Sequence, residues 1–250
     1  MSKEEKNELS VLSGEVEVKR PEKFEVPTIK LDGRGTEGIF YKIEVPQNKG
    51  EDLEKKDLGD KVKGTILKIR RTLNAYSKQA ILFTNQHNSW KDEVVLFEYA
   101  DGKTRMLDKG SVPTIREKYP ELRVRQVLYF LTYPDNEIVK FIIKGKGLSS
   151  LFDFYKEFEK DEHLFEYVIE VGATKQEGEL GDYYFTTFRK VDLVDDLELV
   201  ANKIKEVAEK IESTEDFYAE KKQEIDKAIE DPTSVIVREE DEINVDEIPF

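Results

Sequence analysis

Two runs of strong β-formers, residues 127–133 and 137–144, are separated by Pro134, Asp135 and Asn136, residue types that set the dihedral angles of tight turns. A chain with this pattern is committed locally to an antiparallel hairpin. In the second run Val139, Phe141 and Ile143 share one face, while Ile138, Lys140, Ile142 and Lys144 share the other. The period of two therefore predicts that the first set faces the core. The same chemistry recurs along the chain. Residues 60–73 mix Val62, Ile66, Leu67, Ile69 and Leu73 with Lys63, Lys68, Arg70 and Arg71, which reads as one long strand with a basic outer face. Residues 80–84, 94–99 and 103–107, the last two joined at Asp101-Gly102, read as a meander. Residues 39–45, 165–171 and 183–191 add further strand-like pieces among turn residues such as Pro27, Gly33, Gly38 and Pro46.

One segment breaks the series. Leu151, Phe154, Tyr155 and Phe158 recur at helical spacing behind Ser149 and Ser150, either of which serves as a cap, so residues 148–158 are expected to be helical. A mainly β domain follows over residues 24–191. The architecture expected is an OB-fold-like antiparallel barrel with one inserted helix, and an elaborated β-sandwich is the alternative. From Asp195 the pattern changes: Leu197, Val200, Ile204, Val207 and Ile211 step by three and four, and Phe217, Tyr218, Ile225 and Ile229 follow after Ser213-Thr214. Residues 192–231 thus read as an acidic helical arm. Its stripe is short for a coiled coil, which favours packing on the parent domain over pairing with a second copy, although a homo-oligomer stays open. Residues 1–23 are expected to form a flexible segment, and residues 232–250 a disordered acidic tail.

Charge is distributed unevenly. The net −14 is made of −3 over residues 1–58, +7 over 59–148, −5 over 149–191 and −13 over 192–250. A basic middle is followed by a very acidic end, so the overall sign does not exclude a polyanionic partner for the β-domain. The chain has no cysteine, which removes disulfides, thiol catalysis and cysteine-bound metals. His87 and His163 are isolated, and the carboxylates form no recognisable hydrolase or metal pattern, so neither enzyme activity nor a cofactor or metal is expected. Gly145-Lys146-Gly147 lacks the spacing of a nucleotide-binding loop and reads as a turn leading into a helix. There is no apolar run near 18 residues and no charged-apolar-small leader, so an intracellular protein without a membrane partner is expected.

The basic block combines the two side-chain types that unpaired strands require, cations for the phosphates and flat rings for the bases. Lys63, Lys68, Arg70, Arg71, Lys78, Lys91, Arg105, Lys140, Lys144 and Lys146, with Tyr76, Trp90 and Tyr129, are the candidate contacts. Arg123, Arg125, Tyr99 and Tyr133 belong to the same block. Each stacked base would add about 1–3 kcal/mol and needs no sequence readout. The competing reading of any one aromatic is core packing; Trp90 escapes it best, because Asn85, Gln86, His87, Asn88 and Ser89 precede it in a polar run.

The chain ends in Asp246, Glu247, Ile248, Pro249 and Phe250. An aromatic ring on the residue that carries the terminal carboxylate, behind acids and a proline, is shaped for an apolar pocket with a basic rim. This ending resembles the C-terminal tip of bacterial and phage single-stranded DNA-binding proteins. That resemblance covers only the tip and its acidic tail. It implies a protein that coats single-stranded DNA during replication, recombination or repair and recruits polymerases, helicases, primases or nucleases through the tip, in the cytoplasm of a bacterial or phage-infected cell. The chain departs from the usual bacterial member in lacking a Gly/Gln/Pro-rich linker and in carrying an acidic arm in its place, which fits a divergent, phage-encoded relative. Two other readings remain beside it: a replisome or recombination adaptor that carries the tip and binds no DNA, and an RNA-binding β-barrel.

Overall fold

A computed structural model describes residues 26–33, 38–45, 54–77, 80–100, 103–178 and 181–212. The segment expected to be flexible at the N-terminus, Lys78, the second helix of the arm and the acidic tail with its tip lie outside the described residues. In chain order the strands are β1 (Thr28–Leu31), β2 (Phe40–Ile43), β3 (Lys55–Gly59), β4 (Lys61–Tyr76), β5 (Ile81–Thr84), β6 (Glu93–Ala100) and β7 (Lys103–Ser111). Helix α1 (Val112–Lys118) leads to β8 (Arg123–Thr132) and β9 (Ile138–Ile143), and helix α2 (Lys146–Tyr155) to β10 (Tyr167–Gln176) and β11 (Tyr183–Leu193). A third helix, α3, covers residues 197–212.

The fold is mainly β. Its long strand β4 pairs antiparallel with β8 along most of its length, and its opposite edge is divided. The first residues of that edge, Lys61–Gly64, meet β10, while Asn74–Tyr76 meet β5. The close β4–β8 approach depends on Gly64, where a Cβ would overlap the Leu131 carbonyl and the Phe130 ring. The predicted hairpin is present as β8–β9, and its turn holds a cis Tyr133–Pro134 peptide and Asn136 at φ 53°. The predicted meander is present as β5–β6–β7.

Among the described residues the sheet does not close into the expected barrel. Its order is β3-β2-β1-β9-β8-β4-β5-β6-β7, with β10 and β11 added on the second edge of β4. The reason lies at β9, whose outer edge is taken by β1 in parallel, so no ladder joins β9 to β11 among the described residues. A backbone bond from Tyr184 N to the Gly33 carbonyl, 2.9 Å, joins the β11 and β1 ends, and the Tyr184 ring occupies the space that a side chain at Gly38 would need.

Both faces of the β4–β8–β9 segment are buried, because alternate residues feed two cores. Ile66, Leu128, Phe130, Val139, Phe141 and Ile143 pack with Leu151 and Phe154 of α2. On the opposite face Leu67, Val127, Tyr129 and Leu131 pack against Val200, Val207 and Ile211 of α3. Three of the five stripe residues of the arm thus bury on the parent domain; Leu197 remains 48% exposed at the start of the helix. A third core, Leu73, Val94, Leu96, Val112, Ile115 and Leu122, lies beneath α1. Helix α2 begins earlier than its serines suggested. Its N-cap is Gly145 at φ 56°, a conformation that glycine adopts without strain, and no side chain caps it. Among the described residues no helix is long and apolar enough to cross a membrane.

Candidate nucleic-acid interface

The polar run ahead of Trp90 is a tightly bonded loop. The Asp92 carboxylate accepts from the backbone N–H of Asn88 and of Ser89, both at 2.9 Å, and Asn85 Oδ1 accepts from Val95 N at 2.9 Å. The Ser89 N–H first, and then that of Asn88, hold the Asp92 pKa below its ordinary value. Beneath the loop, Arg70 donates to Asn88 Oδ1 at 2.6 Å and to the Gln86 carbonyl at 3.0 Å, and Arg71 donates to the Asn88 carbonyl. Arg71 also exchanges backbone bonds with His87 at 2.8 and 2.9 Å. The result is a fixed platform for Trp90, whose side chain is 38% exposed. Two guanidinium groups stand over its ring, Arg71 at 5.9 Å and Arg116 of α1 at 6.0 Å.

A second cluster forms where β4 and β9 end and β8 begins. Tyr76 is 62% exposed, with the Arg125 guanidinium 5.0 Å from its ring centre and Arg125 Nη1 donating to its hydroxyl at 3.3 Å. Partial burial pushes the Tyr76 phenol up, but hydrogen bonding to Asn74 and the charges of Arg125 and Lys144 outweigh it and leave the pKa lowered. Lys144 is exposed one residue past the Gln126–Ile143 pair, and Gly145 separates it from Lys146, whose ammonium stands 5.0 Å over the Phe185 ring of β11. Arg71, Arg116, Arg125, Lys144 and Lys146 have no carboxylate partner among the described residues. Rings and unneutralised cations are thus brought together at two places.

Other candidates sit differently. Arg70 is 2% exposed, Tyr129 3% and Lys140 8%, so the fold places three expected contacts where a strand cannot reach them. Burial holds the Arg70 guanidinium below its usual range, and its donors serve the loop. Tyr129 lies beneath α3 and donates to Gln86 Oε1 at 3.2 Å, and burial raises its pKa. Tyr133 is half-buried, its hydroxyl 3.2 Å from Thr65 Oγ1. Arg105 is spent on an ion pair with Glu98. Lys63 is exposed and lies opposite Glu170, whose carboxylate is engaged by Lys61 and Arg189. Lys68 is half-buried opposite Tyr129, Lys91 is exposed beside Trp90, and Tyr99 packs against the Phe83–Phe97 pair.

Arg116 and Phe185 escaped the reading of the sequence. Arg116 depends on α1, whose signal, Ser111 as N-cap followed by Pro113, is present but short. Phe185 lies within the strand-like piece 183–191, and only the fold sets it beneath Lys146. Comparison with known proteins finds no matching family model, no matching curated protein and no matching solved structure.

Proposed function

We propose that this chain binds single-stranded DNA without sequence preference and recruits partner proteins through Asp246, Glu247, Ile248, Pro249 and Phe250. The observation that carries the DNA half is the pairing of rings with unneutralised cations: Trp90 with Arg71 and Arg116, Tyr76 with Arg125, Phe185 with Lys146. Phosphates satisfy such cations and unpaired bases satisfy such rings, with about 1–3 kcal/mol per stacked base. Connectivity supports the same reading. Strands β4, β8 and β9, then α2, then β10 returning to β4 and β11 pairing with β10, follow one another as in a five-stranded, partly open oligonucleotide-binding barrel. In that arrangement the segment from β5 to α1, with Trp90, is the long first loop, a usual place for strand contacts. The tip reading rests on its residue chemistry and on the family resemblance of the ending.

The test is anisotropy of fluorescent oligo(dT) titrated with the full chain and with a chain lacking residues 232–250. The expected outcome is binding that weakens with salt, retained or tightened without the tail. Failure of both chains to bind at low salt would overturn the DNA half and leave the adaptor reading. Equal competition by matched RNA would remove the preference for DNA.

A further inference from the structure

Helix α3 carries two apolar stripes. Val200, Val207 and Ile211 are buried with Val127, Tyr129 and Leu131 of β8. Beside them Leu197, Ala201, Ile204 and Ala208 recur at i, i+4, i+7 and i+11, the spacing of one helix face. That second stripe stays open among the described residues: Leu197 is 48% exposed and Ala201 is exposed, with Ile204 and Ala208 half-buried. Leu193, just ahead of the helix, is 62% exposed.

The next stretch of chain supplies a cover. Its sequence sets Glu215 and Asp216 behind Ser213-Thr214, spaces Tyr218, Ile225 and Ile229 on one helical side and stops at Pro232. A lone helix of that length is marginal in water, so its apolar side needs a surface. A connection as short as Ser213-Thr214 makes successive helices antiparallel neighbours. With the turn centred on Ser213, Ile229 comes level with Leu197, Ile225 with Ala201 and Tyr218 with Ala208, so a single register joins three apolar pairs. The small side chains of Ala201 and Ala208 leave room for the larger ones opposite. We propose that residues 215–231, read from the sequence as helical, fold back and dock on the stripe formed by Leu197, Ala201, Ile204 and Ala208 of the same chain. A second copy is the rival occupant, and the short connection favours the segment already tethered to the stripe. Docking sets Pro232, where the acidic tail begins, beside the start of α3 and the Leu193 end of β11. Leu193 pairs with Tyr167 at the start of β10, and β10 meets β4 at Gly64, about 40 Å along that strand from Tyr76 at about 3.3 Å per residue. The tail therefore leaves the domain at the end remote from Tyr76 and Arg125, where a recruited protein does not obstruct the strand; this last step rests on the single-strand reading above.

The chain has no cysteine, so a pair introduced by substitution gives the molecule its only thiols. The experiment oxidises the full-length Leu197→Cys/Ile229→Cys variant and follows the bridge by non-reducing electrophoresis and mass spectrometry, since a disulfide needs Cα atoms within about 7 Å. A bridge within one chain is expected. It should form at least about tenfold less in Leu197→Cys/Tyr218→Cys, whose positions this register sets about 16 Å apart along the helix. Ala201→Cys/Ile225→Cys lies in the same register and should bridge as well, which keeps the test open if the first variant fails to fold. Bridges only between chains, equal bridging by the mismatched pair, or no bridge in either matched pair overturns the docking. Oligo(dT) anisotropy on the reduced and bridged protein separates the two readings. Affinities equal within about twofold are expected, and a larger weakening by the bridge overturns the placement of the tail. No oligo(dT) binding by either form, with the bridge formed, overturns the single-strand reading and leaves the docking standing.

Discussion

Replacing Arg125, Lys144 and Lys146 together by alanine removes three cations that no carboxylate neutralises among the described residues. Each cation that meets a phosphate of a single strand releases about 0.7 of a counterion, so the triple variant should flatten the plot of log affinity against log salt by about 2. Between 0.05 and 0.2 M salt the wild-type chain should then lose about 20 times more affinity than the variant does. The control is built into the fold: Arg105 is exposed but already paired with Glu98, and Arg105→Ala should leave the slope within error of wild type. The assay is oligo(dT) anisotropy at five or more salt concentrations, with circular dichroism to show that each variant folds. A slope that changes as much for Arg105→Ala as for one of the three, or a triple variant with the wild-type slope, would refute the reasoning that links unneutralised charge to strand contact.

Two further substitutions examine the scaffold. Leu131 is fully buried in the core beneath α3, so Leu131→Ala should cost about 2–5 kcal/mol in urea unfolding, whereas a loss below 1 would mean that the helix does not pack on β8. Glu162 has its pKa lowered to about 2 by the Tyr167 hydroxyl first, then by the Glu159 N–H and Lys190. A depressed folded pKa contributes stability that is present above the ordinary carboxylate value and is lost as pH falls through about 2. Glu162→Gln should therefore lower stability at neutral pH and flatten the acid limb of the thermal melting profile between pH 4.5 and 2; a parallel limb would count against the assignment.

How much of this was legible beforehand follows from the range of the interactions involved. The β8–β9 hairpin and the β5–β7 meander are set by turn residues and by alternation within about ten positions, and both formed where expected. The helical stripe of the arm was equally local, and Val200, Val207 and Ile211 are buried as its period required. Strand β3, with the sequence Lys-Lys-Asp-Leu-Gly, carries no such signal and exists because β2 offers it an edge. Alternation also misled. On β9 the face of Lys140 reads as solvent-facing, and on β8 Tyr129 reads as a candidate for stacking with core packing as its rival, yet both residues are buried.

By itself the sequence determined the strand periods, the hairpin turns, the uneven charge and the chemistry of the C-terminal ending, because each is written in neighbouring residues. Tertiary structure alone decided that the sheet stays open at β1, that α3 covers one face of β8, and that Arg70 supports a loop. It also decided which cations stay unneutralised beside a ring. Pairings such as Arg116 with Trp90 and Lys146 with Phe185 join residues 26 and 39 positions apart, and no local propensity encodes a contact of that range.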